Sequence, residues 1–173
     1  ALLLDTAHAG LSPWAEAMMY AADRAEHVAS VIRPALARGT IVVTDRYVDS
    51  SLAYQGGGRE LTVQAIKAVN DLAIDGLVPD LTFLLDLPPS EGLGRRARSA
   101  DRLESEPEQF HNKVRRTFLD LAAADPGRYL VLDATLDSFQ LSKVIQAAVR
   151  ELLPDPVPER AEEITGSIPV IRE

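Results

Sequence analysis

Three short apolar runs, residues 40–44, 81–86 and 129–133, alternate along the chain with segments whose apolar residues recur every three or four positions. The first run, Thr-Ile-Val-Val-Thr, is β-branched and apolar on both faces of a pleat. A strand of that kind needs cover on each side, which is the setting of a mostly parallel sheet between helices. Strands alternating with helices in this way predict an α/β fold. With 173 residues, 46% of them hydrophobic, one domain with a real core is expected.

The helical segments carry their own punctuation. Ser12 is a good N-cap, and Pro13 suits the first position of a long helix. Trp14, Met18, Ala21, Ala22, Ala25, Val28, Ala29 and Ile32 predict its apolar face, with Trp14 in the core. Pro34 should kink or interrupt that helix and Gly39 should end it. Residues 55–59, Gln-Gly-Gly-Gly-Arg, read as a flexible loop. Thr62 can cap a helix running to about Asp75, with Gly76 as its stop. A short helix is expected from Ser90 towards Ala97. Pro107 fits the first turn of a helix to Ala124, with Phe110, Val114, Phe118 and Leu121 on one face. Residues 138–153 are a last amphipathic helix. Residues 154–173, rich in Pro and Glu, read as a tail with little fixed structure.

Bulk charge narrows the function classes. Eighteen Lys and Arg against 26 Asp and Glu leave a formal charge of −8. An acidic chain does not attract a nucleic-acid backbone through its overall field. The chain has no cysteine, which rules out disulfides and thiolate chemistry and fits a reducing, cytoplasmic compartment. No apolar stretch approaches 18 residues, so no spanning helix is expected. No charged leader precedes an apolar core, so no signal peptide is expected.

Parallel sheets bind ligands beyond the C-terminal ends of their strands. Three acids fall there: Asp45, Asp86 and Asp133. A single such acid is most simply a cap for the next turn; three suggest a site. Asp45-Arg46 stands out, because a carboxylate beside a guanidinium can manage Mg²⁺ and phosphate oxygens together. Tyr20 and Arg24, four residues apart, share a helix face. They could form a slot for a base, although the pattern alone fits an ordinary boundary pair better. Tyr54-Gln55-Gly56-Gly57-Gly58-Arg59 lets backbone approach a ligand closely, but lacks the Gly-Lys-Ser/Thr ending of a phosphate loop. Arg95, Arg96, Arg98 and Arg102 crowd one charged stretch. It is either solvated surface or a flap that brings positive charge to a moving phosphoryl group. His8, His27 and His111 are scattered without metal-ligand spacing, and the last two suit surface or boundary positions.

Taken together these segments resemble the thymidylate kinase family, bacterial type. The resemblance rests on Asp45-Arg46-Tyr47 followed by Ser50-Ser51-Leu52-Ala53-Tyr54-Gln55-Gly56-Gly57-Gly58-Arg59. It extends to Leu11-Ser12-Pro13, Tyr20-Ala21-Ala22-Asp23-Arg24, Ile32-Arg33-Pro34, Val78-Pro79-Asp80, Leu85-Asp86, Asp101-Arg102-Leu103-Glu104 and Asp133-Ala134-Thr135. It covers residues 1 to about 153 and implies a three-layer nucleoside monophosphate kinase fold, with residues 95–106 as an arginine-rich lid. It implies transfer of the ATP γ-phosphate to dTMP with Mg²⁺, and a homodimer for which the long first helix is a candidate interface. Neither nucleic acid nor membrane is an implied partner. Alternatives are a kinase for another nucleoside or monophosphate, or a non-catalytic nucleotide-binding fragment.

The resemblance also implies roles. Tyr20 stacks on thymine and Arg24 reaches its edge. Ser51 faces the base, Tyr54 packs on the deoxyribose and Gln55 helps close the pocket. Arg46 holds the dTMP phosphate, and Asp45 stands near it and near Mg²⁺. In the lid, Arg96 and Arg102 serve the phosphoryl transfer, Arg98 neighbours adenine and Arg102 touches phosphate. Thr135 lies near adenine. Ala1–Asp5 reads as the end of an element begun earlier, and the family's phosphate loop and first strand have no counterpart here. That strand lies between the first two strands visible in this sequence, so a gap about two strand spacings wide is expected between them. Buried unpaired backbone costs roughly 1–3 kcal/mol per group, against a domain stability of about 5–15 kcal/mol. On that ground residues 1–173 alone are expected neither to fold natively nor to turn over.

Overall fold

The structure is a computed structural model and describes residue 3 and residues 10–59, 61–94 and 102–153. Helix α1 (Pro13–His27) begins where Ser12 accepts from the Ala15 N–H at 3.3 Å. It continues through a π-helical turn (Val28–Ile32) into α2 (Arg33–Ala37). The widened turn sits just before Pro34, whose ring lacks an N–H and would crowd the carbonyl one turn back in a regular helix. Gly39 then turns the chain at φ +74.

The buried stripe of α1 and its continuation is only partly the expected one, with Ala21, Val28 and Ile32 buried as foreseen. Trp14 and Met18 are exposed, whereas Glu16, Ala17, Ala21 and Arg24 are buried. Polar residues occupy the inner face because partners on other elements satisfy them, so hydrophobicity alone misplaces the stripe. His27 and His111 sit at half-buried boundary positions, as expected.

Residues 40–44 are not a strand. A strand exists only where a neighbour completes its ladder. Here a cleft of about 1280 Å³ lies between this segment and the next apolar run. Ile41 and Val43 are 66% and 83% exposed in consequence. The chain then forms α3 (Val48–Ser51) and a π-helical segment (Leu52–Gly58). That segment replaces the loop expected at 55–59. Its glycines serve close packing rather than flexibility: a Cβ on Gly57 would lie 2.1 Å from Thr117 Oγ1, and one on Gly58 2.5 Å from Phe110 Cε2.

Helix α4 (Val63–Ile74) is capped by Thr62 and closed by Asp75 and Gly76, both at positive φ. Strands β1 (Thr82–Asp86) and β2 (Tyr129–Asp133) pair in parallel, with Asp86 opposite Asp133. Leu85 and Val131 stay exposed, so these strands are not covered on both faces. Between them run α5 (Pro89–Gly94) and α6 (Glu108–Ala124). Helix α6 packs on the π-helical segment and on both strands. Helix α7 (Ser138–Leu152) starts with a reciprocal cap between Asp137 and Gln140. Three small cores result. Val28, Ile32, Tyr47 and Ile74 form one, Ala17, Leu52 and Ile66 another, and Ala53, Phe110 and Val114 the third.

Candidate active site

Glu16, Tyr20 and Arg24 follow one another at four-residue steps, so α1 presents all three along one face. The outer two tie α1 to the segment that follows Arg46. Arg24 is buried and donates to Ser51 Oγ at 3.1 Å, to Asn70 Oδ1 at 2.6 Å and to the Tyr47 carbonyl at 3.1 Å. Glu16 accepts from Gln55 Nε2 at 2.7 Å. Ser51 and Gln55 are themselves four residues apart, so the two elements are joined at both ends of a short strip. Tyr20 lies between the two ties on the α1 side.

Arg46 approaches that strip from the other direction. Its guanidinium carbon is 5.3 Å from the centre of the Tyr54 ring, a cation–π contact. Desolvation works against its charge, but Tyr54, Asp45 and Tyr20 outweigh it and raise its pKa. The structure therefore brings Tyr20, Tyr54 and Asp45 each within electrostatic reach of Arg46. Asp45 and Arg46 are exposed and, with Tyr54 and Asp86, line the cleft beside β1. Tyr20, Arg24 and Ser51 are not part of that lining.

The other strand-end acids are occupied. Asp86 accepts two bonds from Arg115 at 2.7 and 2.8 Å, and this pairing, stronger than the cost of desolvation, lowers its pKa. Asp133 accepts from both the N–H and the hydroxyl of Thr135, at 2.9 and 2.7 Å, and its pKa is lowered by those bonds. That is the capping role open to any strand-end acid. Thr135 is thereby held in the turn after β2, and it does not line the cleft.

Arg102 is placed unlike an exposed flap residue. It is 6% exposed, with Nη2 2.5 Å from Glu16 Oε2 and Nε 2.8 Å from the Leu3 carbonyl. A phosphate contact by Arg102 would require this pair to open. Arg96 and Arg98, and most of the arginine-rich stretch, lie outside the described residues, as does the tail from 154. The sequence pattern did not mark Glu16 or Asn70, and marked Arg59 only as the end of the glycine run. The polar i, i+4, i+8 series of 16, 20 and 24 was the available signal for Glu16. Asn70 and Arg59 act through long-range contacts that no local pattern reveals.

For Mg²⁺, Asp45 offers an exposed carboxylate of the hard oxygen type that ion prefers. Among the described residues no cluster of three or more His, Cys, Asp or Glu side chains could hold a metal by itself. Asp45 would hold such an ion as one oxygen donor among several, and the ion would there offset negative charge. Among the described residues no helix is long and apolar enough to cross a membrane.

The family model for thymidylate kinase matches residues 1–145. A thymidylate kinase of Bifidobacterium longum subsp. infantis is 48% identical over 154 residues, covering 89% of this chain and 66% of the relative. One of Trichlorobacter lovleyi is 46% identical over 164 residues, covering 90% and 77%. The crystal structure of thymidylate kinase from Ehrlichia chaffeensis superposes with a TM-score of 0.62 at 33% identity, covering 79% of this chain and 66% of that one. The chain thus spans about two thirds to three quarters of the length of these relatives. With a match this long, on a parallel α/β scaffold that carries the Asp45-Arg46 and Tyr54-Gln55 segments together, the chain belongs to the thymidylate kinase family, with its phosphate-loop nucleoside monophosphate kinase fold.

Proposed function

We propose that this protein transfers the γ-phosphate of ATP to dTMP, giving dTDP and ADP, and so serves dTTP synthesis in the cytoplasm. The observation that supports this most is the double tie between α1 and the segment after Arg46, with Tyr20 between the ties and Arg46 beside Tyr20 and Tyr54. An aromatic ring flanked by bound polar groups suits a flat pyrimidine, and a guanidinium at its rim suits the attached phosphate.

In this reading Tyr20 stacks on the base, and Arg24 and Ser51, already joined, set its edge contacts. Tyr54 limits room at the sugar, with Gln55 closing the pocket. Arg46 holds the acceptor phosphate so that its oxygen meets the γ-phosphorus in line. Asp45 orients Mg²⁺ directly or through water; when bound, the ion neutralises charge on the phosphates. Arg96, Arg98 and Arg102 are proposed for the donor side, with Thr135 near adenine. A homodimer is part of the same proposal.

The test is acceptor choice. Protein produced from its whole reading frame should convert ATP to ADP with dTMP, and far more slowly with dUMP, dCMP or thymidine. Equal or faster turnover with another acceptor would reassign the substrate, and nucleotide binding without turnover would remove the catalytic reading.

A further inference from the structure

We infer that Glu16 is a positioning residue, whose one buried carboxylate fixes the segment carrying Tyr54 and Gln55 and the segment carrying Arg102 as a single unit against α1. Glu16 is 1% exposed. A carboxylate taken that far from water needs several donors. It has three, from two parts of the chain. Gln55 Nε2 binds Oε1 at 2.7 Å, while Arg102 Nη2 and Arg59 Nη2 meet Oε2 at 2.5 and 3.5 Å.

Together with the backbone from 102 to 106, the contacts close into a ring. Arg59 also reaches Glu106 Oε1 at 2.5 Å, and Glu106 lies four residues beyond Arg102. Along the series Arg102, Glu16, Arg59, Glu106 two carboxylates and two guanidinium groups therefore alternate, and their formal charges cancel. Opening either arm leaves charge unbalanced in a buried place, so both arms stay closed together. Phe110 backs the ring, with the Arg59 guanidinium 5.1 Å from its ring centre. Such alternation needs no large core, only one carboxylate central enough to be shared.

The position of Glu16 gives the ring its consequence. It lies one helical turn before Tyr20, and its partner Gln55 directly follows Tyr54. Displacing the carboxylate would move both aromatic residues relative to each other. It would also release Arg102, the first described residue of the arginine-rich stretch. The kinetic part of this inference rests on the acceptor reading above; the structural part does not.

The experiment compares Glu16→Gln with Ile74→Ala. The latter opens a cavity in the core formed with Val28, Ile32 and Tyr47 and touches none of the ring. Amide hydrogen exchange is read on nucleotide-free protein at residues 54–59 and 102–106, and steady-state kinetics on the same samples. In Glu16→Gln both segments should exchange faster together, by about tenfold or more, the tenfold step being about 1.4 kcal/mol. The KM for dTMP should rise and kcat should fall beyond anything seen in Ile74→Ala at equal loss of Tm.

Independent exchange of the two segments would overturn the inference. So would kinetics that follow Tm alike in both variants. If wild type itself does not use dTMP, the acceptor reading fails, and the exchange data still decide the role of Glu16. If Glu16→Gln does not fold, Gln55→Leu replaces it. That variant should speed exchange at 102–106, to which Gln55 is joined through the shared Glu16 carboxylate, and unchanged exchange there would overturn the inference.

Discussion

The Arg24 guanidinium meets the Ser51 hydroxyl at 3.1 Å across 27 residues of chain, and the same nitrogen reaches Asn70 Oδ1 at 2.6 Å. One charged group thus binds α1, α3 and α4 together where α1 has just presented Tyr20. Because the arginine is already held, Tyr20 keeps a fixed distance from the segment that carries Tyr54. A slot whose walls are set before any ligand arrives loses little ordering entropy on binding.

Tyr20→Ala should therefore act on one nucleotide. Stacking of a base on an aromatic ring contributes about 1–3 kcal/mol. The KM for dTMP should rise about tenfold or more, while the KM for ATP changes little. Steady-state titration of each nucleotide at saturating partner checks this. Equal losses for both would remove Tyr20 from the slot.

Gly57→Ala tests the reason for the glycine run. In an unhindered helix this change would stabilise, by about 0.5–1 kcal/mol. Here the new Cβ would lie 2.1 Å from Thr117 Oγ1. The π-helical segment must then part from α6, and overpacking of this kind costs about 1–3 kcal/mol. Thermal denaturation should show a fall in Tm that Thr117→Ala, in the double variant, largely reverses. A flexible loop at 55–59 would instead tolerate Gly57→Ala without change.

Those glycines also mark where sequence pattern stopped being informative. β1, β2, α4, α6 and α7 were legible because local rules place them: Thr62 caps, Gly76 stops, residues 138–153 are amphipathic, and Leu130 and Leu132 sit in a short apolar run. Residues 40–44 read as a strand because β-branched residues favour pleated backbone, yet a ladder depends on a neighbour that propensity does not supply. Trp14 read as core because it is large and apolar. The inner face of α1 instead went to Glu16 and Arg24, whose partners Gln55, Arg102, Ser51 and Asn70 lie far along the chain. The candidate site was legible as residue types, but its connections were not.

Asp49 gives the fold a pH-dependent tie. Its carboxylate accepts from Arg128 at 2.9 and 3.0 Å and from the Tyr129 phenol at 2.5 Å. Desolvation opposes its charge, but the bonds from Arg128 and Tyr129 prevail and lower its pKa. A carboxylate depressed in the folded state stabilises fully above its unfolded value, about 3.9, and loses that contribution as pH falls through the folded value. Removing one partner of a buried pair costs about 3–5 kcal/mol; Asn retains one acceptor, so about 3 kcal/mol is expected for Asp49→Asn. The Tm difference from wild type should be largest near neutrality and shrink below about pH 4. A difference independent of pH would show that shape rather than charge carries the tie.

Arg46 should separate the phosphate from the nucleoside. It stands over Tyr54 with its charge favoured by Asp45, Tyr54 and Tyr20, and it lines the open cleft. A charge-assisted hydrogen bond contributes about 1.5–3 kcal/mol, or roughly 10- to 150-fold in affinity. Arg46→Met should weaken dTMP by that factor and leave thymidine, which has no phosphate, nearly unchanged. The substituted side chain still covers the Tyr54 ring, so Tm should move little. Calorimetric titration of both ligands into both proteins provides the comparison. Parallel weakening of dTMP and thymidine would mean that Arg46 supports the base slot through Tyr54, and the phosphate would then need another cation.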